Sequence, residues 1–168
     1  EEKDEPGIPY PLDFPSKIPT NYGSVILFTG FKKNGKTAFL WQICSWLLSQ
    51  GKSGFIASFE IDKKIAVSCL TRSGLGAAPK DKGELVFVMD RYLSNVMLYD
   101  KFGSVGWKAL VESMKFCNAK YGTFFFVIDS LMKLNINMSQ QSNDCMDFMN
   151  ALCEFSMETG SHVFLVAH

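Results

Sequence analysis

The 168-residue sequence has no net charge, since 17 Lys and Arg offset 17 Asp and Glu. Without a general positive field it cannot draw nucleic acid to its whole surface, so any such contact must be local to loops. It is poor in histidine, with two, and its five cysteines (44, 69, 117, 145 and 153) form no Cys-x-x-Cys pair and have no histidine at metal-ligand spacing. That pattern excludes a disulfide framework or a zinc module of ordinary spacing, and all five are read as reduced packing residues. No stretch reaches the roughly 18 apolar residues of a membrane span, and the opening EEKDEP is acidic where a secretory leader would be basic. A soluble, intracellular protein with no membrane partner is the expectation. Proline is nearly missing beyond residue 20, where only Pro79 occurs.

The other five of the six prolines fall in the first 20 residues, among alternating charges and isolated apolar side chains. Residues 1–22 therefore read as an extended linker, and 23–168 as one domain. A 47% hydrophobic content with 15 Phe and 3 Trp supplies a sizeable core.

Apolar runs and helical periods alternate along that domain. A strand over 24–29 precedes the helix TAFLWQICSWLLSQ, which is apolar nearly all round, with Gly51 at its end. GFIASF is a strand leading to Glu60, and DKKIAVSCLTR a helix with Ile65, Cys69 and Leu70 inward. SGLGAAPKDKG lacks periodicity and reads as loop, while ELVFVMD and NVMLY read as strands. A helix then carries Trp107, Leu110, Val111 and Met114 on one face and closes at Gly122. TFFFVID has the continuous apolar pattern of a strand buried on both faces. A helix with Cys145, Phe148, Met149 and Leu152 inward and a last strand, HVFLVAH, complete the series. Alternation of this kind predicts an α/β fold with a mostly parallel, doubly wound sheet, whose ligands sit at the carboxyl ends of its strands. The last strand stops at His168, so the domain is expected to be truncated there.

Between the first strand and first helix stands GFKKNGKT, which fits G-x-x-x-x-G-K-[ST] in the strand-to-helix setting that pattern requires. Gly30 and Gly35 let the backbone curl so that the N–H groups of Phe31, Lys32, Lys33, Asn34, Gly35, Lys36, Thr37 and Ala38 can line a phosphate cradle. Lys36 supplies a point charge for the outer phosphates of ATP or another NTP, and the Thr37 hydroxyl a place on Mg²⁺. The plain alternative is a solvated basic turn. Asp129 ends the buried strand, where a carboxylate can serve as the second Mg²⁺ contact. Glu60 either activates an attacking water or offsets the dipole of the next helix. His168 either senses the γ phosphate or is structural, and His162, at the other end of its strand, reads as structural. Gly30, Glu60, Asp129 and His168 thus converge on one sheet edge.

The succession GSVILFTGFKKNGKTAFL, IASFE, FFFVIDSLMKL and HVFLVAH resembles the RecA-type ATPase domain of DnaB-type replicative helicases, most closely the Twinkle-like and phage primase-helicase branch. The resemblance spans 23–168 and implies a RecA-like P-loop NTPase core. It implies a ring-forming motor, hexameric when assembled, that hydrolyses ATP with Mg²⁺ to move on single-stranded DNA and unwind duplex. It places such a protein in a bacterial or phage-infected cytoplasm or an organelle matrix. By it Lys36 and Thr37 match the phosphate and Mg²⁺ residues, Glu60 the catalytic base, Asp129 the Mg²⁺-organising carboxylate and His168 the sensor. The family's arginine finger would follow His168, and the loop is unusually basic at Lys32 and Lys33. Residues 133–143, KLNINMSQQSN, occupy the place of a DNA-facing loop, with Lys133, Asn135 and Asn137 as candidates for backbone contact, or are an ordinary connector. A RecA- or RadA-like recombinase and a nucleotide-binding assembly module without useful hydrolysis are the alternative functions.

Overall fold

The computed structural model describes residues 23–31, 34–100, 105–136 and 143–167. The expected linker, Lys32, Lys33, Asn137 and His168 lie outside them.

Five strands form one all-parallel sheet in the order β1-β5-β4-β2-β3. They are β1 (Val25–Phe28), β2 (Gly54–Ser58), β3 (Val96–Leu98), β4 (Phe125–Asp129) and β5 (His162–Val166). The intervening helices are α1 (Lys36–Ser49), α2 (Lys63–Leu75), α3 (Lys82–Val88), α4 (Trp107–Tyr121) and α5 (Asp144–Thr159). The chain steps outward from β1 to β2 to β3 and then returns through β4 and β5. Right-handed crossovers in opposite directions place helices on opposite faces, as observed. One core joins α1 and α2 to Ile56, Phe125, Val127, Phe164 and Val166, and the other joins α4 and α5 to Phe55, Phe126, Ile128, Val163 and Leu165. Alternation along β4 therefore sends Phe125, Val127 and Asp129 toward α1.

Three expectations are corrected. ELVFVMD is not a strand: it forms α3 and a following π-helical turn, Met89–Leu93. The Asp81 carboxylate accepts from the Glu84 N–H at 2.9 Å and the Glu84 carboxylate from the Lys80 N–H at 2.7 Å, so reciprocal capping outweighs the strand preference of Val and Phe. The loop before it is correspondingly shorter, since α2 runs on to Leu75 and closes on Gly76. Ile65 does not face inward but is 52% exposed; Ala66, Leu70 and Thr71 are the buried residues of α2. Cysteine packing holds for Cys44 and Cys117, whose thiols burial pushes up in pKa, while Cys69 and Cys145 are half-buried and Cys153 is exposed on α5. Among the described residues no helix is long and apolar enough to cross a membrane.

Candidate nucleotide-binding site

Gly30 and Gly35 hold φ of 137° and 75°, the left-handed region that a side chain disfavours, one just after β1 and the other at the start of α1. Gly35 is the N-cap of α1 and has no side chain with which to cap it, and no acidic residue stands in the helix's first turn. An α-helix leaves its first N–H groups without intrahelical partners, and the dipole gives that end a partial positive charge. The start of α1 is thus suited to an anion supplied from outside. The Lys36 ammonium donates to the carbonyls of Gly30 and Phe31, each at 2.8 Å, so it folds back over the loop from which it springs. Asn34, Gly35 and Ala38 are exposed around it, and the Phe31 side chain points to solvent.

One more helical residue and the segments at the ends of β2 and β4 complete the site. Thr37, the second residue of α1, donates through Oγ1 to Asp129 Oδ2 at 3.4 Å. Asp129 is 2% exposed and sits at the last position of β4, on the face covered by α1. Glu60 stands two residues beyond β2, rather than at its end, and is exposed. It reaches the same edge because β2 pairs with β4 in the register Ser58 opposite Asp129, and the Phe59 N–H donates to the Asp129 carbonyl at 2.7 Å. Ser130, which sequence reasoning passed over, is fully buried and donates through Oγ to Glu60 Oε1 at 2.8 Å.

The donor set fits Mg²⁺ held chiefly by a nucleotide. Among the described residues no group of three His, Cys, Asp or Glu forms a metal cage. A hydroxyl beside a buried carboxylate, next to a helix start, matches an ion that keeps water and phosphate oxygens as its other ligands.

Lys133 and Asn135 are both exposed. Lys133 closes a short 3₁₀ turn, Leu131–Lys133, directly after Ser130, and the Asn135 N–H donates to the Val105 carbonyl at 2.9 Å. His162 lies at the opposite edge, with Nδ1 3.0 Å from Ser24 Oγ. Burial, reinforced by the positive charge of Lys52, lowers its pKa to about 4. The expectation that it is structural accords with this placement.

No family model matches the sequence, and no curated protein matches it. Solved structures do. A DnaB-like replicative helicase, solved in a study of its interactions with primase, superposes with a TM-score of 0.69 at 19% identity, over 84% of this chain and 38% of that one. The ATPase domain of a second protein gives 0.68 at 20% identity, over 86% of this chain and 57% of that one. The chain therefore spans less than two thirds of either match. At such identity the likeness is one of fold, and the fold is that of the RecA-type ATPase domains of DnaB-type helicases.

Proposed function

We propose that this domain is the ATP-hydrolysing motor of a ring-forming replicative DNA helicase. The observation that carries this reading is the Thr37–Asp129 hydrogen bond at 3.4 Å, which joins the end of the phosphate loop to the carboxylate of a buried parallel strand. Lys36 and the first N–H groups of α1 bind the phosphates and offset the charge that builds on the transferring phosphoryl group. Thr37 and Asp129 would hold Mg²⁺, which when bound would supply positive charge against the phosphates. Glu60 orients the attacking water and takes its proton. The segment leaving Ser130, with Lys133 and Asn135, carries single-stranded DNA in the central channel and moves with nucleotide state because it departs from the same sheet edge. His168 senses the γ phosphate. Efficient turnover requires assembly, since a cation from a neighbouring subunit completes the site.

The likeness to DnaB-type ATPase domains favours this reading over a recombinase of the same fold. Electron microscopy of the full chain with ATP and single-stranded DNA, together with a strand-separation assay, tests it. Closed rings that unwind a forked duplex are expected; open filaments along DNA without unwinding would transfer the site to the recombinase class.

A further inference from the structure

We propose that Ser130 is a positioning residue for Glu60, fixing the carboxylate that activates water; this rests on the reading of Glu60 as the base. The pairing of β2 with β4 does not stop at its last rung. Ser58 lies opposite Asp129, the Phe59 N–H donates to the Asp129 carbonyl at 2.7 Å, and the next step is made by side chains, from Ser130 Oγ to Glu60 Oε1 at 2.8 Å. The two partners differ in exposure and in side-chain length. Ser130 has no exposed surface, and its hydroxyl sits on a one-carbon stem, so the donor is held by packing. Glu60 is exposed and lies on three rotatable bonds beyond the end of its strand, so the acceptor is the group that gains order. Anchoring Oε1 fixes the plane of the carboxylate and hence the direction in which Oε2 is presented.

The neighbouring residue gives this its chemical sense. Asp129 accepts from Thr37, and Ser130 follows it directly, so a single strand end holds both the metal-side carboxylate and the anchor of the base. Where the two must act on opposite sides of one phosphoryl group, a rigid link between them maintains an alignment that a loop would not.

The test is a double-mutant cycle in the full chain with single-stranded DNA present, using Ser130→Ala, Glu60→Ala and the pair. Ser130→Ala is expected to lower kcat by about 10- to 100-fold, the size of effect that misplacing a catalytic group produces, while KM for ATP stays within about twofold. In the Glu60→Ala background the same change should have no further effect, because the group it positions is gone. Binding of a non-hydrolysable ATP analogue and the melting temperature of Ser130→Ala should match the parent. A parental kcat in Ser130→Ala, losses that multiply in the pair, or lost analogue binding would each overturn the proposal. Parental turnover in Glu60→Ala would instead remove the base itself, and the proposal with it, a result distinguishable because Ser130 need not be altered to see it.

Discussion

Thr37 Oγ1 lies 3.4 Å from Asp129 Oδ2 across 92 positions of sequence. The contact exists because β4 alternates Phe125, Val127 and Asp129 onto the α1 face, and because α1 starts at Gly35, which puts Thr37 in its first turn. Asp129→Asn preserves size and leaves the fold intact, but removes the negative charge suited to Mg²⁺. It should lower Mg²⁺-dependent hydrolysis by about 10²- to 10³-fold. Thr37→Ala should chiefly raise the Mg²⁺ concentration needed for half-maximal rate. A magnesium titration of both variants checks this, and an unchanged magnesium requirement in both would separate these residues from the ion.

The placement of Lys133 and Asn135, exposed just past Ser130, leads to a binding prediction. One cation with a neighbouring amide makes backbone contacts that do not read sequence. Lys133→Ala with Asn135→Ala should weaken single-stranded DNA binding and reduce the slope of log affinity against log salt by about 1, equally for different sequences. ATPase activity without DNA should stay near parental. Fluorescence anisotropy at several salt concentrations provides the readout; an unaltered slope would make this segment a connector.

The layered fold was legible in the sequence because its strongest signals are local. TFFFVID is continuously apolar since both faces of β4 are covered, and α1 is apolar all round since it packs in a crowded layer. That the glycine-bounded loop and Asp129 stand at the carboxyl ends of β1 and β4 was legible for the same reason, as each is marked by a strand end. Where reading failed, two local signals competed or none existed. Leu85, Val86, Phe87 and Val88 favour a strand by side-chain type, yet Asp81 and Glu84 cap a helix around them, and that capping pair stood in the sequence to be weighed. Ile65 lies next to the true inward residue, Ala66, a one-position slip in helical phase. Ser130 carried no signal at all. Its role in the site depends on the register between β2 and β4, which is a property of two segments 70 residues apart.

His162 makes stability depend on pH. Its pKa is about 4 in the folded chain against 6.5 ordinarily, chiefly through burial and secondarily through Lys52. Between these values the unfolded chain binds a proton that the folded chain does not, so stability is full above pH 6.5 and falls as pH drops toward 4. By pH 5 the loss from this one group should be roughly 2 kcal/mol. His162→Gln should flatten the dependence between pH 6.5 and 5, whatever it does to stability at pH 7. Denaturant titrations at half-unit pH intervals would show this; parallel curves for parent and variant would mean that His162 is protonated equally in both states.

The central claim is that the turn between β1 and α1 is a phosphate cradle whose charge is Lys36, the residue whose ammonium already bends over the loop to Gly30 and Phe31. Its most direct test is the steady-state ATPase rate of Lys36→Ala in the full chain with Mg²⁺ and single-stranded DNA, beside a melting curve that shows the variant folded. The account predicts a rate reduced at least about 10²-fold, because the substitution removes a positive charge that offsets the charge building on the transferring phosphoryl group. A folded Lys36→Ala variant that hydrolyses ATP at the parental rate would contradict it.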